Sequence, residues 1–233
     1  MSRPEELADA LAKVRERIAA ACRAAGRGED EVGLVVVTKF FPASDVRLLA
    51  GLGVTDVGEN RHQEARAKAE ECADLGLRWH YIGGLQTNKA AAVARYADVV
   101  ESVDRPELVT RLARGATETE RQVDVLLQVS LDPPAAEHRF GAAPEALGAL
   151  AESVVAAGEA LRLRGLMAVA PLGEDPATAF ARLAEVRAAF LSDHPDATLL
   201  SAGMSGDLEQ AISAGATHVR VGSAVLGPRP QVQ

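Results

Sequence analysis

The sequence predicts an α/β protein, a single (β/α)₈ barrel of the TIM type preceded by one extra helix, with residues 1–233 forming one domain. Three observations carry that expectation. Short apolar runs alternate with helical stretches from residue 34 to the C-terminus, the runs number eight, and no composition break or low-complexity linker interrupts them. A chain of 233 residues that is 48% hydrophobic can bury one large core, and barrels commonly fill such a length as one unit. Near-continuous apolar runs suit strands buried on both faces, which favours a closed parallel barrel over the alternative, an open doubly wound sheet.

The extra helix is read over residues 4–25, where Leu7, Leu11, Val14, Ile18 and Cys22 recur at spacings of three and four before Gly26 and Gly28. The strands are expected at LVVVTK (34–39), DVGEN (56–60), WHYIGG (79–84), VVESVD (99–104), VDVLLQVSL (123–131), LRGLMAVA (163–170), TLLSAGMS (198–205) and HVRVGSAVL (218–226). Between them lie helical stretches such as SDVRLLAGLG, HQEARAKAEECADLG, PATAFARLAEVRAAFL and DLEQAISAG, several of which begin at a capping residue and stop at Gly. The charges of HQEARAKAEE fall at spacings that allow pairing within the helix, so that stretch is read as a solvated face.

Composition excludes several function classes. The net charge is -8 and no basic run gathers, which argues against nucleic acid and anionic membranes as partners. Aromatics are only 3%, leaving little surface on which bases could stack. No segment approaches the ~20 apolar residues of a membrane span and the charged start is unlike a signal peptide, so a cytoplasmic protein, expected to be a monomer, is predicted. Cys22 and Cys72 lack CxxC spacing and are read as reduced structural thiols. His62, His80, His138, His194 and His218 show no metal-ligand spacing, and no metal is expected.

In a barrel of this kind ligands bind where the strands end. The first strand ends in Lys39, one of four lysines (Lys13, Lys39, Lys68, Lys89) in a chain whose other cations are Arg. Guanidinium stays protonated, whereas a desolvated lysine can lose its proton and condense with a carbonyl. Such a lysine can equally reach into solvent from a strand end. The second strand ends in Glu59 and Asn60. Strands seven and eight end in SAGMS and RVGSA, where Ser201, Gly203, Met204, Ser205, Gly222 and Ser223 look like a phosphate cup, although tight turns select the same residues. A reactive lysine facing a phosphate cup describes one ligand across the mouth, and pyridoxal phosphate and a phosphorylated sugar aldehyde both qualify.

Arg220, on the eighth strand, bears on that choice, unless it only pairs with a buried carboxylate. Strong electron-sink enzymes place an Asp at the pyridine nitrogen of pyridoxal phosphate; an Arg leaves that nitrogen unprotonated and the sink weak. Racemisation or simple carriage of the cofactor then remain. His80 either lines the pocket or is a satisfied core histidine, and Lys89, at a helix start, is read as an exposed structural lysine rather than a second aldehyde site.

The blocks LVVVTK, DVGENRHQE, WHYIGGLQTNK, LRGLMAV and LSAGMSGDLEQAISAGATHVRVGSAVLG together resemble the pyridoxal phosphate homeostasis proteins. The fold this implies is the N-terminal barrel of alanine racemase without its second domain. The resemblance further implies that Lys39 forms the Schiff base with pyridoxal 5′-phosphate and that Asn60 lines the cofactor. It implies that Arg220 faces the pyridine nitrogen and that Ser201, Gly203, Met204, Ser205, Gly222 and Ser223 surround the phosphate. Members are carriers or regulators in vitamin B6 and amino-acid homeostasis, with apo-enzymes as possible recipients. This chain departs from the usual pattern at Gly84 (commonly Pro), Arg61 (commonly Tyr) and Ser223 (commonly Thr). Two alternatives stand beside carriage: a pyridoxal phosphate-dependent amino-acid racemase, and an aldolase that forms its Schiff base without a cofactor. A two-base racemase needs a second acid/base; only GPRPQVQ follows the eighth strand, and neither Tyr81 nor Tyr96 looks placed for the part. Carriage without catalytic turnover is therefore the expectation.

Overall fold

Runs of branched aliphatic residues in this chain become strands because each is buried on both faces, by the barrel interior and by the surrounding helices. The structure, a computed structural model, describes residues 2–132 and 140–229. Its strands are β1 (Gly33–Val37), β2 (Asp56–Glu59), β3 (Arg78–Tyr81), β4 (Val99–Val103), β5 (Val123–Gln128), β6 (Leu161–Met167), β7 (Leu199–Ser201) and β8 (His218–Val221). Each pairs in parallel with the next, and β1 closes on β8 with Gly33 opposite His218, giving the closed barrel the sequence predicts.

The extra helix is α1 (Arg3–Ala24). Its start is fixed by Pro4 in the first turn and by the Glu5 carboxylate, which accepts the Ser2 N–H at 2.8 Å. Its buried stripe, Leu7, Leu11, Val14, Ile18 and Cys22, packs into a cluster with Leu208 and Ile212 of α8 (Leu208–Ser213) and Val225 and Leu226 of α9 (Ser223–Leu226). The remaining helices are α2 (Ala43–Gly51), α3 (His62–Glu71), α4 (Thr87–Ala94), α5 (Pro106–Thr117), α6 (Leu147–Val155) and α7 (Pro176–Asp193). None of the described helices is long and apolar enough to cross a membrane. Cys22 and Cys72 are free and buried, and burial pushes both thiol pKa values up.

The expected strand ends need correction: the fifth, sixth and seventh strands stop at Gln128, Met167 and Ser201, so Gly203, Met204 and Ser205 lie in the loop after β7. Lys39, Asn60, Gly83 and Gly84 lie past the ends of their strands, in the loops of the barrel mouth. The eighth strand stops at Val221, and the SAVL expected to continue it is α9, whose first turn is closed by Val225 N–H and Leu226 N–H donating to the Gly222 carbonyl at 3.0 and 2.9 Å. A short apolar run does not distinguish strand from helix by its period, and here burial against α1 decides.

The barrel interior is divided. One side is apolar, with Val99, Leu126 and Met167 packed against Val169 and Leu199. The other is polar, with His80, Glu101, Ser201 and Arg220 all at most 4% exposed. The seam between β6 and β7 is tight: Gly165 has φ +151°, and a Cβ there would lie 1.8 Å from the Leu199 carbonyl oxygen. Only glycine fits both the dihedral and the gap. Gly165→Ala should therefore lower unfolding stability by about 3 kcal/mol or abolish folding; an unchanged urea midpoint would show that the seam yields freely.

Candidate functional site at the barrel mouth

The loop after β1 is built around a buried ion cluster. The Lys68 ammonium on α3 donates to the Thr38 carbonyl at 2.7 Å, to Glu59 Oε1 at 2.6 Å and to Glu64 Oε1 at 2.7 Å. The Thr38 hydroxyl also donates to Glu59 Oε1, at 2.6 Å. Glu64 accepts the Phe40 N–H at 2.6 Å, holding Phe40 at φ +72°, a left-handed conformation costly for a bulky residue. Lys39 is thus flanked by two residues whose backbones are fixed. The stretch HQEARAKAEE is accordingly not only a solvated face: Glu64 and Lys68 turn inward, with Lys68 only 6% exposed. The Glu64 and Lys68 spacing beside the buried Ala65 and Ala69 was the available signal.

Lys39, Met204, Ser205, Arg220, Gly222 and Ser223 line one cavity of about 260 Å³ at the C-terminal ends of β1, β7 and β8. Asn60, Ser201 and Gly203 do not line it. Gly203 supports the loop from behind at φ +92°, its carbonyl accepting the Arg220 N–H at 2.9 Å. The Asn60 side-chain oxygen is buried and without a hydrogen-bond partner among the described residues.

At the cup, Asp207 accepts the Met204 N–H at 2.5 Å and so fixes the turn before α8. The Ser205 hydroxyl meets the Ser223 hydroxyl at 3.3 Å and the Ala224 N–H at 3.4 Å. The N–H groups of Ser205, Gly206 and Ser223 have no partner among the described residues. The extra helix reaches this cup. Arg17 donates to both oxygens of Glu209, at 2.8 and 2.9 Å, and to the Ser205 carbonyl at 3.1 Å, while Arg3 donates to the Leu226 carbonyl at 3.1 Å. The sequence reading assigned neither arginine a role.

Below the mouth Arg220 is 4% exposed and donates to Ser201 Oγ at 2.7 Å and to the Ala168 carbonyl at 2.9 Å. The Ser201 hydroxyl in turn donates to Glu101 Oε2 at 2.6 Å. Ser201 therefore sits beneath Arg220, with its hydroxyl committed to the interior. Arg220 also partners a buried carboxylate, since Glu101 lies 3.7 Å away. Beyond Glu101, His80 Nδ1 meets Glu101 Oε1 at 2.7 Å and His80 Nε2 meets Asp56 Oδ1 at 2.9 Å.

Electrostatics favour a nucleophilic Lys39. Burial lowers its pKa, Arg229 and Arg61 lower it further, and Glu59 opposes them. Arg61 and Arg229 each hold their guanidinium carbon 4.9 Å from the centre of the Phe40 ring. The unusual Arg61 is thereby accommodated. At Gly84, a Cβ would lie 2.5 Å from the Phe140 ring, which covers this position. Lys89 lies on α4 and does not line the cavity. Among the described residues no group of His, Cys, Asp or Glu is placed to hold a metal; His138 and residues 230–233 lie outside them.

Comparison with known proteins gives this geometry a lineage. Residues 10–230 match the family described as the alanine racemase N-terminal domain. The chain is 43% identical to the pyridoxal phosphate homeostasis protein of Pseudomonas aeruginosa, with 96% of each chain covered, and 42% identical to that of Mycobacterium leprae, covering 97% of this chain and 94% of the relative. The chain belongs to the pyridoxal phosphate homeostasis protein family. A solved member, PipY of Synechococcus elongatus with pyridoxal phosphate bound, superposes with a TM-score of 0.82 at 35% identity, covering 95% of this chain and all of that one.

Replacing Lys68 by Met would leave Glu59 and Glu64 facing each other without a cation, so Lys68→Met should lower unfolding stability by about 3 kcal/mol. Thermal melts matching the unsubstituted protein would mean that the cluster does not organise the Lys39 loop.

Proposed function

We propose that this barrel, acting as one unit in the cytoplasm, holds pyridoxal 5′-phosphate at its mouth and serves as a carrier in vitamin B6 and amino-acid homeostasis, with apo-enzymes as recipients. The observation that carries this reading is the convergence of Lys39, the Ser205 and Ser223 cup and Arg220 on one cavity. The donor set fits the group. The N–H groups of Ser205, Gly206 and Ser223, with two hydroxyls beside them, suit a phosphate. Gly203, at φ +92° with a Cβ there only 2.7 Å from Ala211 Cβ, lets the loop pack closely against α8, and Gly222 lies in the cavity wall. Lys39 supplies an amine that burial inclines toward the neutral, nucleophilic form. The Asn60 side-chain oxygen, buried and without a partner among the described residues, is left over for a polar ring substituent, although Asn60 does not line the cavity. Arg220, which lines the cavity, would offer a permanent cation to the pyridine nitrogen and so keep it without a proton.

When bound, the cofactor supplies an aldehyde and a conjugated ring. Lys39 would hold the aldehyde carbon by a reversible condensation that releases water, while the cup would retain the phosphate. Carriage is favoured over racemisation because neither tyrosine hydroxyl is presented to the cavity. Tyr81 OH donates to the Asn60 carbonyl at 3.4 Å, and Tyr96 OH meets His62 Nδ1 at 3.5 Å. The relative from Synechococcus elongatus supports the choice of cofactor over a sugar aldehyde, since that structure contains pyridoxal phosphate.

Mixing the purified protein with pyridoxal phosphate should produce a visible absorption band that Lys39→Ala abolishes. A colourless mixture would end the carrier reading in favour of a cofactor-free barrel, and brisk turnover of L-amino acids to their mirror forms would replace it with a racemase.

A further inference from the structure

Inside the barrel four charged groups follow one another with alternating sign. Asp56 stands on β2, His80 on β3, Glu101 on β4 and Arg220 on β8, with the Ser201 hydroxyl of β7 linking the last two. Strands β4 and β7 are not neighbours, so the 2.6 Å bond from Ser201 to Glu101 crosses the barrel interior. The far end of the chain opens toward the opposite face of the barrel, where the Asp56 side chain is 22% exposed.

The protonation state of this chain follows from its partners. Both ring nitrogens of His80 face carboxylate oxygens, and an ionised carboxylate can only accept; both nitrogens must therefore donate, which makes the ring an imidazolium. Burial alone would lower the His80 pKa, but the hydrogen bonds to Asp56 and Glu101 and their charges outweigh it and raise it to about 9. Burial likewise pushes Glu101 up, but the His80 bond and charge, followed by Arg220 and Ser201, bring it down to about 2. The other titratable group that interacts with His80 is His218 on β8, whose own pKa is lowered by burial, while Arg78 on β3 acts on Asp56 and His218.

We propose that Glu101 and His80 are positioning residues for the cofactor site, locking the Arg220 guanidinium through Ser201 and setting, by their own charges, how positive the barrel mouth is. The proposal rests on the cofactor reading above. Glu101 offsets the charge of Arg220, and His80 limits how far Glu101 does so. Removing either one changes the potential at Lys39 in opposite directions. Without the Glu101 charge the mouth becomes more positive, and a protonated imine at Lys39 is disfavoured. Without the His80 charge the mouth becomes less positive, and the protonated imine is favoured.

The test is a pH titration of the visible band of the protein loaded with pyridoxal phosphate. Glu101→Gln should move the midpoint down by about one pH unit and His80→Gln should move it up by a similar amount. Ser201→Ala, which removes the hydroxyl and no charge, should leave the midpoint within a few tenths of a unit while weakening cofactor retention severalfold. Shifts of the same sign in Glu101→Gln and His80→Gln, or no shift, would overturn the proposal, because a merely structural role has no reason to act with opposite signs. A second arm needs neither variant nor cofactor: NMR of the unsubstituted protein at pH 7 should show His80 protonated on both nitrogens, and a neutral ring would overturn the proposal outright. If the loaded wild-type protein shows no band, the cofactor reading fails, a result distinct from a band that fails to shift.

Discussion

A cation inside a protein must be given a countercharge and hydrogen-bond acceptors, or its burial costs more than folding can supply. Arg220 imposes that constraint on the whole barrel. Its guanidinium is placed by β8, accepted by Ser201 of β7 and the Ala168 carbonyl beyond β6, and balanced by Glu101 of β4. Glu101 is stabilised by His80 of β3, which is stabilised by Asp56 of β2. Six of the eight strand segments thus contribute to holding one charge beneath the mouth. The polar side of the interior exists to solvate it, and the apolar packing of Val99, Leu126 and Met167 occupies the other side.

The same logic recurs at smaller scale around Lys39. A lysine useful as an amine must be partly desolvated but must not be paired with a carboxylate, since pairing would hold it protonated. The fold separates these demands by giving the nearby carboxylates Glu59 and Glu64 to Lys68. Lys68 carries the structural charge and Lys39 is left facing the cavity beside Arg61 and Arg229. Two lysines that meet at this loop, Lys39 in it and Lys68 reaching it from α3, therefore have opposite duties. The extra helix completes the arrangement from outside, where Arg17 and Arg3 tie α1 to the Ser205 turn and to α9.

Much of the fold was legible because barrel strands advertise themselves: VVV in β1 and VLL in β5 are apolar without alternation, and α1 shows its buried stripe in the spacing of Leu7, Leu11, Val14 and Ile18. The ends were harder to read. SAVL continued an apolar run, and only packing against α1 makes it helix α9. Within the candidate site, Lys39, Met204, Ser205, Gly222, Ser223 and Arg220 could be found by asking which residues end the strands. Ser201 was placed at the cup by its position in SAGMS, but side chains alternate along a strand, and its hydroxyl points to Glu101 and Arg220 instead. The Asp56, His80 and Glu101 chain left no local signature, because its members come from three strands and meet only when the barrel closes.

The central claim is that, of the four lysines, Lys39 alone anchors the cofactor. Incubation with pyridoxal phosphate, reduction with borohydride to make the link permanent, and peptide mapping by mass spectrometry address it directly. The account predicts one pyridoxyl group per chain, on the peptide that contains Lys39. A label on Lys13, Lys68 or Lys89, or one spread among them, would contradict it.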